Sequence, residues 1–356
     1  MTVTVRTVPA PASLRTVAER VERRLHEVLA AETERWRAFD RDLEAPLAAL
    51  ARLVLDGGKR LRPAFCHWGN IAAGGTGDDP AVVEAGAAFE FLQAFALVHD
   101  DVMDGSAVRR GSRTAHLQFA DRHAGKRWLG EARRFGEGVA ILIGDLAHVY
   151  ADQLMPTQPP AVLAIWHELR LELNMGQYLD VLGTARADRD QDQSRRIARY
   201  KSGKYTIERP LHVGAALAGR IDEMAGLLSA YGDPLGEAFQ LRDDMLGAFG
   251  DESVTGKPVG DDLREGKPTV LLAVATERAD RAGARLLRRV GSVDLTADEI
   301  RAVQQLFVET GAVSEVESMI GSLARRAVAA TEDARVPGVA RAALVELADY
   351  VAWRER

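Results

Sequence analysis

The chain has 356 residues, of which 47% are apolar, and its formal net charge is −6. This acidic balance argues against nucleic acid as a partner, because nucleic-acid-binding domains carry a basic footprint. With Cys66 as its single cysteine, the chain has no internal disulfide framework, which favours a cytoplasmic location. No uninterrupted apolar stretch is long enough to predict a membrane span.

Helical periodicity dominates the first third of the chain. Residues 1–13 lack the apolar segment of a secretory signal, and we predict that they form a flexible tail. An amphipathic helical pattern follows over residues 14–55 and is interrupted by Asp56-Gly57-Gly58. Pro63 fits the first turn of another helix, where its missing N–H costs nothing. Residues 81–103 are predicted to form a long helix with one apolar face.

The remaining sequence predicts further helices separated by polar segments. The predicted elements are a charged surface loop at 121–137, helices at 139–153 and from 160 to about 181, a charged linker at 184–196, helices through Lys201 and Ala215, a helix at 235–249, and a Gly/Lys/Asp-rich loop at 250–268. Strand-type alternation is nearly absent. We therefore predict an all-α fold in which residues 14–356 form one domain, a bundle of ten or more helices around a central cavity.

Three aspartates end the long helix at 81–103. Asp100 and Asp104 are four residues apart, which places their Cβ atoms roughly 5–6 Å from each other on one helix face, with Asp101 beside them. Ionised carboxylates this close repel one another, and a divalent cation removes the penalty. Magnesium prefers such oxygen ligands and shares itself with substrate phosphates. The alternative is a solvated acidic helix end, which the preceding apolar stretch makes less attractive.

A second acidic pair, Asp243-Asp244, lies far away in sequence but follows a similarly apolar stretch. Gln240 precedes Asp244 by one helical turn and shares its face. Metal sites in helix bundles are built from side chains on facing helices. The two acidic clusters therefore predict a magnesium site between two helices.

Basic residues lie near glycines and near both clusters. Lys59 and Arg62 follow the glycine pair, and Arg109-Arg110 follows the first cluster after a short loop. Arginine binds phosphate through two parallel hydrogen bonds, whereas lysine acts as a point charge. Any one of these residues alone is more simply explained as a solvated side chain. Together with Lys201, Lys257 and Lys267 they indicate a diphosphate substrate.

At this point the sequence resembles the trans-isoprenyl diphosphate synthases, the polyprenyl synthetase family. The resemblance spans nearly the whole chain, and the matching stretches are Gly57-Gly58-Lys59-Arg60-Leu61-Arg62-Pro63, Asp100-Asp101-Val102-Met103-Asp104 with Arg109-Arg110-Gly111, Gly176-Gln177-Tyr178-Leu179-Asp180, Lys201-Ser202, Phe239-Gln240-Leu241-Arg242-Asp243-Asp244, and Thr255-Gly256-Lys257 through Gly266-Lys267-Pro268-Thr269.

The resemblance implies a magnesium-dependent head-to-tail condensation of isopentenyl diphosphate with an allylic diphosphate, carried out by a homodimer. It implies two or three Mg²⁺ ions, with Mn²⁺ as an alternative, and no side-chain acid or base, because the released diphosphate takes the proton. The implied metal ligands are Asp100, Asp101, Asp104, Asp243 and Asp244. The implied isopentenyl diphosphate ligands are Lys59, Arg62, Gln93 and Arg110, and the implied allylic diphosphate ligands are Arg109, Lys201, Ser202, Gln240, Lys257 and Lys267.

Product length is expected to depend on Phe95 with its neighbours Leu92 and Ala96. Phe95 precedes Asp100 by five residues, about 7.5 Å along the helix axis, and by resemblance the growing tail runs along this helix. A bulky group there predicts a short-chain enzyme that makes geranylgeranyl diphosphate, with farnesyl diphosphate as the alternative product. The simpler interpretation of these residues is core packing. His99 is expected to point away from the metal.

The second acidic motif departs from the family pattern, which usually has a third aspartate where this chain has Gly247. That departure leaves the metal count open and keeps a non-catalytic regulatory subunit as an alternative. Two others are a class I terpene cyclase, which has no use for Lys59 and Arg62, and a helical binding protein for prenyl lipids. Elongation assays discriminate among all of these.

Overall fold

The computed structural model describes residues 8–250, 260–292 and 294–354, and these are almost entirely helical. The α-helices are α1 (Ala12–Phe39), α2 (Glu44–Leu55), α3 (Leu61–Ala72), α4 (Pro80–Asp104), α5 (Ala115–Lys126), α6 (Ala132–Leu154), α7 (Pro160–Arg186), α8 (Gln191–Ile197), α9 (Arg209–Leu217), α10 (Ile221–Phe249), α11 (Asp261–Glu265), α12 (Val270–Arg278), α13 (Arg281–Leu287), α14 (Ala297–Glu309), α15 (Ala312–Ala330) and α16 (Gly338–Trp353). The prediction of an all-α fold with ten or more helices is confirmed.

The helical pattern at 14–55 proves to be two helices rather than one. Asp40 adopts an extended conformation, and its carboxylate accepts a hydrogen bond from the Asp42 N–H. This side chain starts a short 3₁₀ turn, Arg41–Leu43, that leads into α2. A residue that satisfies a free N–H in this way begins a new helix, which explains the break.

Two segments predicted as polar connections are largely helical. Residues 121–137 contain the end of α5 and the start of α6, and His123 is buried there beneath Trp128 and Phe135. Residues 184–196 contain the end of α7 and most of α8. Both predictions were wrong because the charged residues lie on outer faces of helices, where they resemble a loop in composition alone.

The long helix α4 lies at the centre of the first half of the bundle. It packs against α6 and α3 and also contacts α1 and α2. Of the described helices, α4 alone is long and apolar enough to cross a membrane, but 61% of its apolar window is buried inside the protein. Its composition is therefore that of a core helix, which carries the Asp100 cluster at its end.

A π-helical segment, Ala198–Glu208, carries Lys201 and Ser202 between α8 and α9. Segments of this kind are rare and often occur at functional sites. Glycines let neighbouring helices approach this segment closely. A Cβ at Gly176 of α7 would lie 2.3 Å from the backbone nitrogen of Lys201. A Cβ at Gly236 of α10 would lie 2.7 Å from the Gly203 Cα. The backbone of Lys201 is therefore held against α7.

Candidate active site

The glycine pair before α3 forms a tight loop around a buried arginine. Gly57 and Gly58 both have positive φ angles, as does Arg60 at +52°. Arg60 is almost fully buried, forms an ion pair with Glu90 and with Glu22 (3.2 Å), and donates a hydrogen bond to the Val54 carbonyl oxygen. A buried cation with several anionic partners fixes its surroundings strongly. Arg60 therefore fixes the loop that presents Lys59 and Arg62.

Arg62 and Gln93 both contact the side chain of Tyr205. The guanidinium carbon of Arg62 lies 4.1 Å from the centre of this ring, and an Arg62 Nη atom donates to the Thr206 Oγ1 at 2.8 Å. The Tyr205 hydroxyl donates to the Gln93 Oε1 at 2.6 Å. The resemblance assigns Arg62 and Gln93 to isopentenyl diphosphate, and the π-helical segment brings these two residues together.

Arg110 joins the same region from the opposite side. Its guanidinium donates to the carbonyl oxygens of Leu53, Asp56 and Gly57 at 2.7–3.3 Å, so it holds the glycine loop. Burial lowers the pKa of Arg110, and the positive charges of Arg60 and Arg62 contribute to the same effect. Several guanidinium groups held this close together have a strong attraction for an anion.

Asp100 faces the π-helical segment and α7. Its carboxylate lies 3.0 Å from the Lys201 Nζ, which also lies 2.6 Å from the Asp180 carboxylate, and Gln177 donates to Asp100 at 3.0 Å. Burial alone would raise the pKa of Asp100, but Lys201 and two further cations hold it below its ordinary value. Lys201 thus bridges two carboxylates on different helices.

Asp101 forms an ion pair with a small hairpin that follows α4. Strands β1 (Val108–Arg109) and β2 (Ser112–Arg113) pair antiparallel, and Arg109 on β1 donates to the Asp101 carboxylate at 2.5 and 2.9 Å. Arg109 also lies 3.6 Å from Asp100. The polar loop predicted here is therefore ordered by the first acidic cluster itself.

Asp104 lies beside a third basic residue. The Lys267 Nζ is 3.2 Å from the Asp104 carboxylate, 2.8 Å from that of Glu265 and 3.6 Å from that of Asp262. Burial raises the pKa of Asp104 to about 6, and the charges of Asp100 and Glu265 contribute, although Lys267 opposes them. The charged form of Asp104 is therefore unfavourable even with a lysine beside it.

The second acidic cluster divides between two partners. Gln240 donates to the Asp244 carboxylate at 2.7 Å, as their shared helix face predicts. Asp243 instead forms an ion pair at 2.5 Å with Arg354, which is buried against the ring of Phe239. Burial raises the pKa of Asp244 to about 8, with added effect from Asp262, Asp243 and Asp180, although Gln240 opposes it.

The two clusters face one region, because Lys267 contacts Asp104 at the end of α4 and also Asp262, whose carboxylate lies against Gly247 of α10. Asp180 contacts Lys201 of the first cluster and raises the pKa of Asp244 in the second. Among the described residues, no three acidic, histidine or cysteine side chains lie together as a preformed metal cluster. Lys201 lies between the carboxylates of Asp100 and Asp180, and Lys267 contacts those of Asp104, Glu265 and Asp262. Burial makes the charged forms of Asp104 and Asp244 costly, and a bound divalent ion would offset that cost.

The other predicted residues have simpler surroundings. Ser202 follows Lys201 on the π-helical segment, and Lys257 lies outside the described residues. His99 contacts the Ile141 carbonyl oxygen on α6 at 3.0 Å, and its orientation away from the metal stays a prediction. Phe95 stacks on His148 of α6 with ring centres 4.7 Å apart. Leu92 is fully buried, whereas Ala96 is only partly buried.

Comparison with known proteins identifies the family. A family model described as polyprenyl synthetase matches residues 44–307. The chain belongs to the polyprenyl synthetase family. The geranylgeranyl pyrophosphate synthase of Corynebacterium glutamicum, solved with isoprenyl diphosphate and magnesium, has a TM-score of 0.91 to this chain at 37% identity, covering 96% of this chain and 99% of that one. Both the isoprenoid synthase fold and the prenyltransferase class are thereby confirmed.

Curated relatives of this polyprenyl synthetase differ in the product that they make. The geranylfarnesyl diphosphate synthase of Aeropyrum pernix is 32% identical over 86% of this chain and 93% of its own length. The (2E,6E)-farnesyl diphosphate synthase of Mycobacterium bovis is 34% identical over 84% of this chain and 80% of its own length. Prenyl chain elongation is common to these relatives, whereas product length is not.

The sequence analysis assigned no contact to several residues at the site, among them Asp180, Glu265 and Arg354. Asp180 lies in the stretch Gly176–Asp180, so the resemblance had marked its region without assigning it a contact. Glu265 lies two residues before Lys267, at the end of α11. The sequence around it was predicted as a charge-rich loop, and nothing there distinguishes Glu265 from its charged neighbours. Arg354 lies more than a hundred residues after Asp243, and only the packing of α16 against α10 brings the two together.

Proposed function

We propose that this protein condenses isopentenyl diphosphate with an allylic diphosphate, head to tail, to give a short-chain all-trans product, geranylgeranyl diphosphate. One observation supports this above the others: two separate groups of cations flank the Asp100 cluster. Lys201, Lys267 and Arg109 contact its carboxylates directly. Arg110 holds the glycine loop, and Arg62, which follows that loop, meets Gln93 at Tyr205. Two cation groups suit two diphosphates.

Asp100, Asp104 and Asp243 are the proposed main ligands of two or three Mg²⁺ ions, with Asp101 and Asp244 beside them and Mn²⁺ as an alternative ion. Bound metal would supply positive charge where the allylic diphosphate leaves, and such electrostatic help is commonly the largest catalytic contribution.

The chain's own cations act on the same diphosphate. Lys201 and Lys267 already stand among the carboxylates, so a short movement transfers their hydrogen bonds to diphosphate oxygens, with Arg109, Ser202, Gln240 and Lys257 as further ligands. Lys59, Arg62, Gln93 and Arg110 would orient isopentenyl diphosphate with its double bond towards the cation. The allylic C–O bond breaks, the isopentenyl double bond attacks the allylic cation to form the new C–C bond, and the departing diphosphate takes the proton that the resulting carbocation loses. No side-chain base is required.

The apolar surroundings would protect the allylic cation from water, whose attack would compete with condensation. The ring of Phe95 is a candidate for the floor of the tail pocket, because it is packed rigidly against His148 rather than free to turn aside. Ala96 and Leu92 flank it. A rigid floor one and a half helical turns before Asp100 supports a short product, and farnesyl diphosphate is the second candidate because a farnesyl synthase is among the relatives.

The protein is further proposed to act as a cytoplasmic homodimer. Exposed apolar side chains crowd onto α6 and α7: Ile141, Leu142, Val149, Leu171, Met175, Tyr178 and Val181. Exposed apolar patches mark protein–protein interfaces, so α6 and α7 are the proposed dimer surface. The division into a tail at 1–13 and one domain at 14–356 also remains a prediction.

The deciding experiment incubates the pure protein with Mg²⁺, isopentenyl diphosphate and allylic diphosphates of increasing length, and sizes the products by chromatography. We expect geranylgeranyl diphosphate to accumulate, and a chelator to stop the reaction. Absence of elongation with every allylic substrate would contradict the proposal. It would instead indicate a non-catalytic regulatory subunit or a prenyl-lipid carrier. Cyclic hydrocarbon products would instead indicate a terpene cyclase. The comparisons favour neither a regulatory subunit nor a cyclase.

A further inference from the structure

The turn between α5 and α6 presents two large apolar side chains to solvent at its tip. Leu129 is 100% exposed, and its neighbour Trp128 is 45% exposed. A single exposed apolar residue is common on protein surfaces and needs no explanation. A tryptophan and a leucine side by side at the tip of a turn form a small apolar patch, and what surrounds them indicates which partner would cover it.

The turn is held in one conformation. Arg127 ends α5 in the left-handed region with a φ of +53°, and the Trp128 N–H donates to the His123 carbonyl oxygen at 3.3 Å. The Trp128 ring packs edge-on against the rings of His123 and Phe135, with ring centres 6.0 and 5.3 Å apart. The His123 Nε2 lies 3.0 Å from the Leu129 carbonyl oxygen. Because the turn is ordered in advance, a partner that covers Leu129 would not have to order it.

Positive charge surrounds this apolar tip. Residues 122–134 contain five basic side chains and one acidic side chain, Glu131, whereas the whole chain has a net charge of −6. The basic residues are Arg122, Lys126, Arg127, Arg133 and Arg134. The Arg122 guanidinium lies 5.9 Å from the centre of the Trp128 ring. In the part of the chain that the structure describes, the first three of these side chains form no ion pair, so their charge is available to a partner.

Two of the arginines lie where they do not favour the helix that carries them. Arg133 and Arg134 are in the first turn of α6, which contains no acidic residue. The positive end of a helix dipole is at its N-terminus, so a cation there is unfavourable. Glu131 at the N-cap and Glu137, which lies 2.6 Å from Arg133, offset part of this cost. Helix stability therefore does not account for the basic cluster, whereas an anionic partner does.

The tip lies at the end of the bundle that holds the first acidic cluster. Helices α4 and α6 run antiparallel, since Phe91 packs on Tyr150 further along α6, whereas His99 contacts Ile141 nearer its start. The start of α6 is therefore on the same side of the protein as the end of α4, which carries Asp100. A surface that receives the tip would face that end of the bundle.

We propose that the turn at residues 127–131 and the basic residues around it dock on a membrane that contains anionic lipid. Tryptophan is favoured at the level of the lipid head groups, where its amphipathic ring fits. Leu129 would enter the apolar layer beside it, and the basic side chains would contact the negatively charged head groups. This inference is independent of the proposed function, because it concerns a surface outside the candidate active site. Failure of the elongation assay would leave it standing.

Flotation of the whole chain with lipid vesicles tests the proposal. One set of vesicles is phosphatidylcholine alone, and in the other phosphatidylserine replaces part of it. Leu129→Ser removes the apolar contact, and a triple variant removes three charges: Arg122→Gln, Lys126→Gln and Arg127→Gln. The matched controls are Phe39→Ser, at an exposed apolar residue that ends α1, and the exposed triple Arg23→Gln, Arg37→Gln and Arg41→Gln, which removes the same charge.

We expect the wild type to bind the vesicles with phosphatidylserine, more weakly as salt is added, and not to bind phosphatidylcholine alone. Leu129→Ser should weaken binding about tenfold. The triple variant at the tip should weaken it about fivefold for each charge removed, and both controls should match the wild type. Brominated phospholipid should quench the tryptophan fluorescence of the bound protein, and Trp128→Phe should remove most of that quenching.

Two results would overturn the proposal. The first is a wild type that does not float with phosphatidylserine vesicles, or controls that lose as much binding as the variants at the tip. The second is a change of oligomeric state in Leu129→Ser, measured by size-exclusion chromatography, because the tip would then be covered by a second copy of the chain. All of the substituted side chains are exposed, and thermal unfolding confirms that each variant is folded.

Discussion

Gly176 offers a test of how the site depends on close helix packing. A Cβ at this position would lie 2.3 Å from the Lys201 nitrogen and 2.6 Å from the Tyr200 carbonyl carbon, whereas ordinary contact begins near 3.4 Å. In Gly176→Ala the π-helical segment must therefore move by about 1 Å, because neither neighbour is a flexible side-chain end. The bridge from Lys201 to Asp100 and Asp180, at 3.0 and 2.6 Å, does not survive such a movement.

The expected cost has two parts. Overpacking of this kind destabilises a protein by about 1–3 kcal/mol, measured as the free energy of unfolding in denaturant. A misplacement of about 1 Å in a substrate-positioning group reduces turnover about a hundredfold, measured as steady-state product formation at saturating Mg²⁺. Lys201→Ala should lower turnover to a similar degree without the packing cost.

Gly226→Ala is the matched control, since Gly226 also lies within a helix but a Cβ there would meet nothing within 4 Å. It should keep wild-type turnover and gain about 0.4–1 kcal/mol of stability from the reduced entropy of the unfolded chain. If Gly176→Ala turned over at the wild-type rate, the placement of Lys201 by α7 would be refuted. A variant that lost stability but kept its rate would show that the contact is purely structural.

Four further variants or treatments test other parts of the structure. Asp104→Ala should reduce elongation to background in the product assay, and a near-normal rate would contradict its metal role. Phe95→Ala should lengthen the products sized by chromatography; unchanged length would exclude a steric floor. Arg60→Ala leaves Glu90 buried without its main partner and should lower the free energy of unfolding by about 3–5 kcal/mol in urea, so a change below 1 kcal/mol would argue against a fixed glycine loop. Burial raises the pKa of Cys66, which keeps the thiol protonated at neutral pH, so iodoacetamide should label the native protein far more slowly than the unfolded one; equal rates would contradict this.

Local patterns in the sequence predicted much of the fold and the centre of the site. The apolar periodicity of α4 and the four-residue spacing of Asp100 and Asp104 depend only on helix geometry, and the structure has both. The contact between Gln240 and Asp244 was predictable for the same reason. These features lie within a single helix, where sequence separation and spatial separation have a fixed relation.

Contacts between helices were not predictable in this way. Nothing near Asp243 indicates that Arg354 will pair with it, and nothing near Gly247 indicates that Asp262 will fill its place. Both depend on how distant helices dock. The prediction of a loop at 121–137 was wrong for a related reason. His123 is buried there because α5 packs against α6, and this packing cannot be read from the local sequence.

The two lysine bridges also bear on which molecules the site rejects. Lys201 and Lys267 each have carboxylate partners already, so an uncharged prenyl alcohol that entered would have to break these pairs and could replace neither charge. A diphosphate that arrives with its metal offers anionic oxygens to the lysines and a cation to the carboxylates, so every charge keeps a partner. The ion pairs of the unliganded site should therefore favour a metal-bound diphosphate over the corresponding prenyl alcohol. This preference does not depend on how the hydrocarbon tail fits.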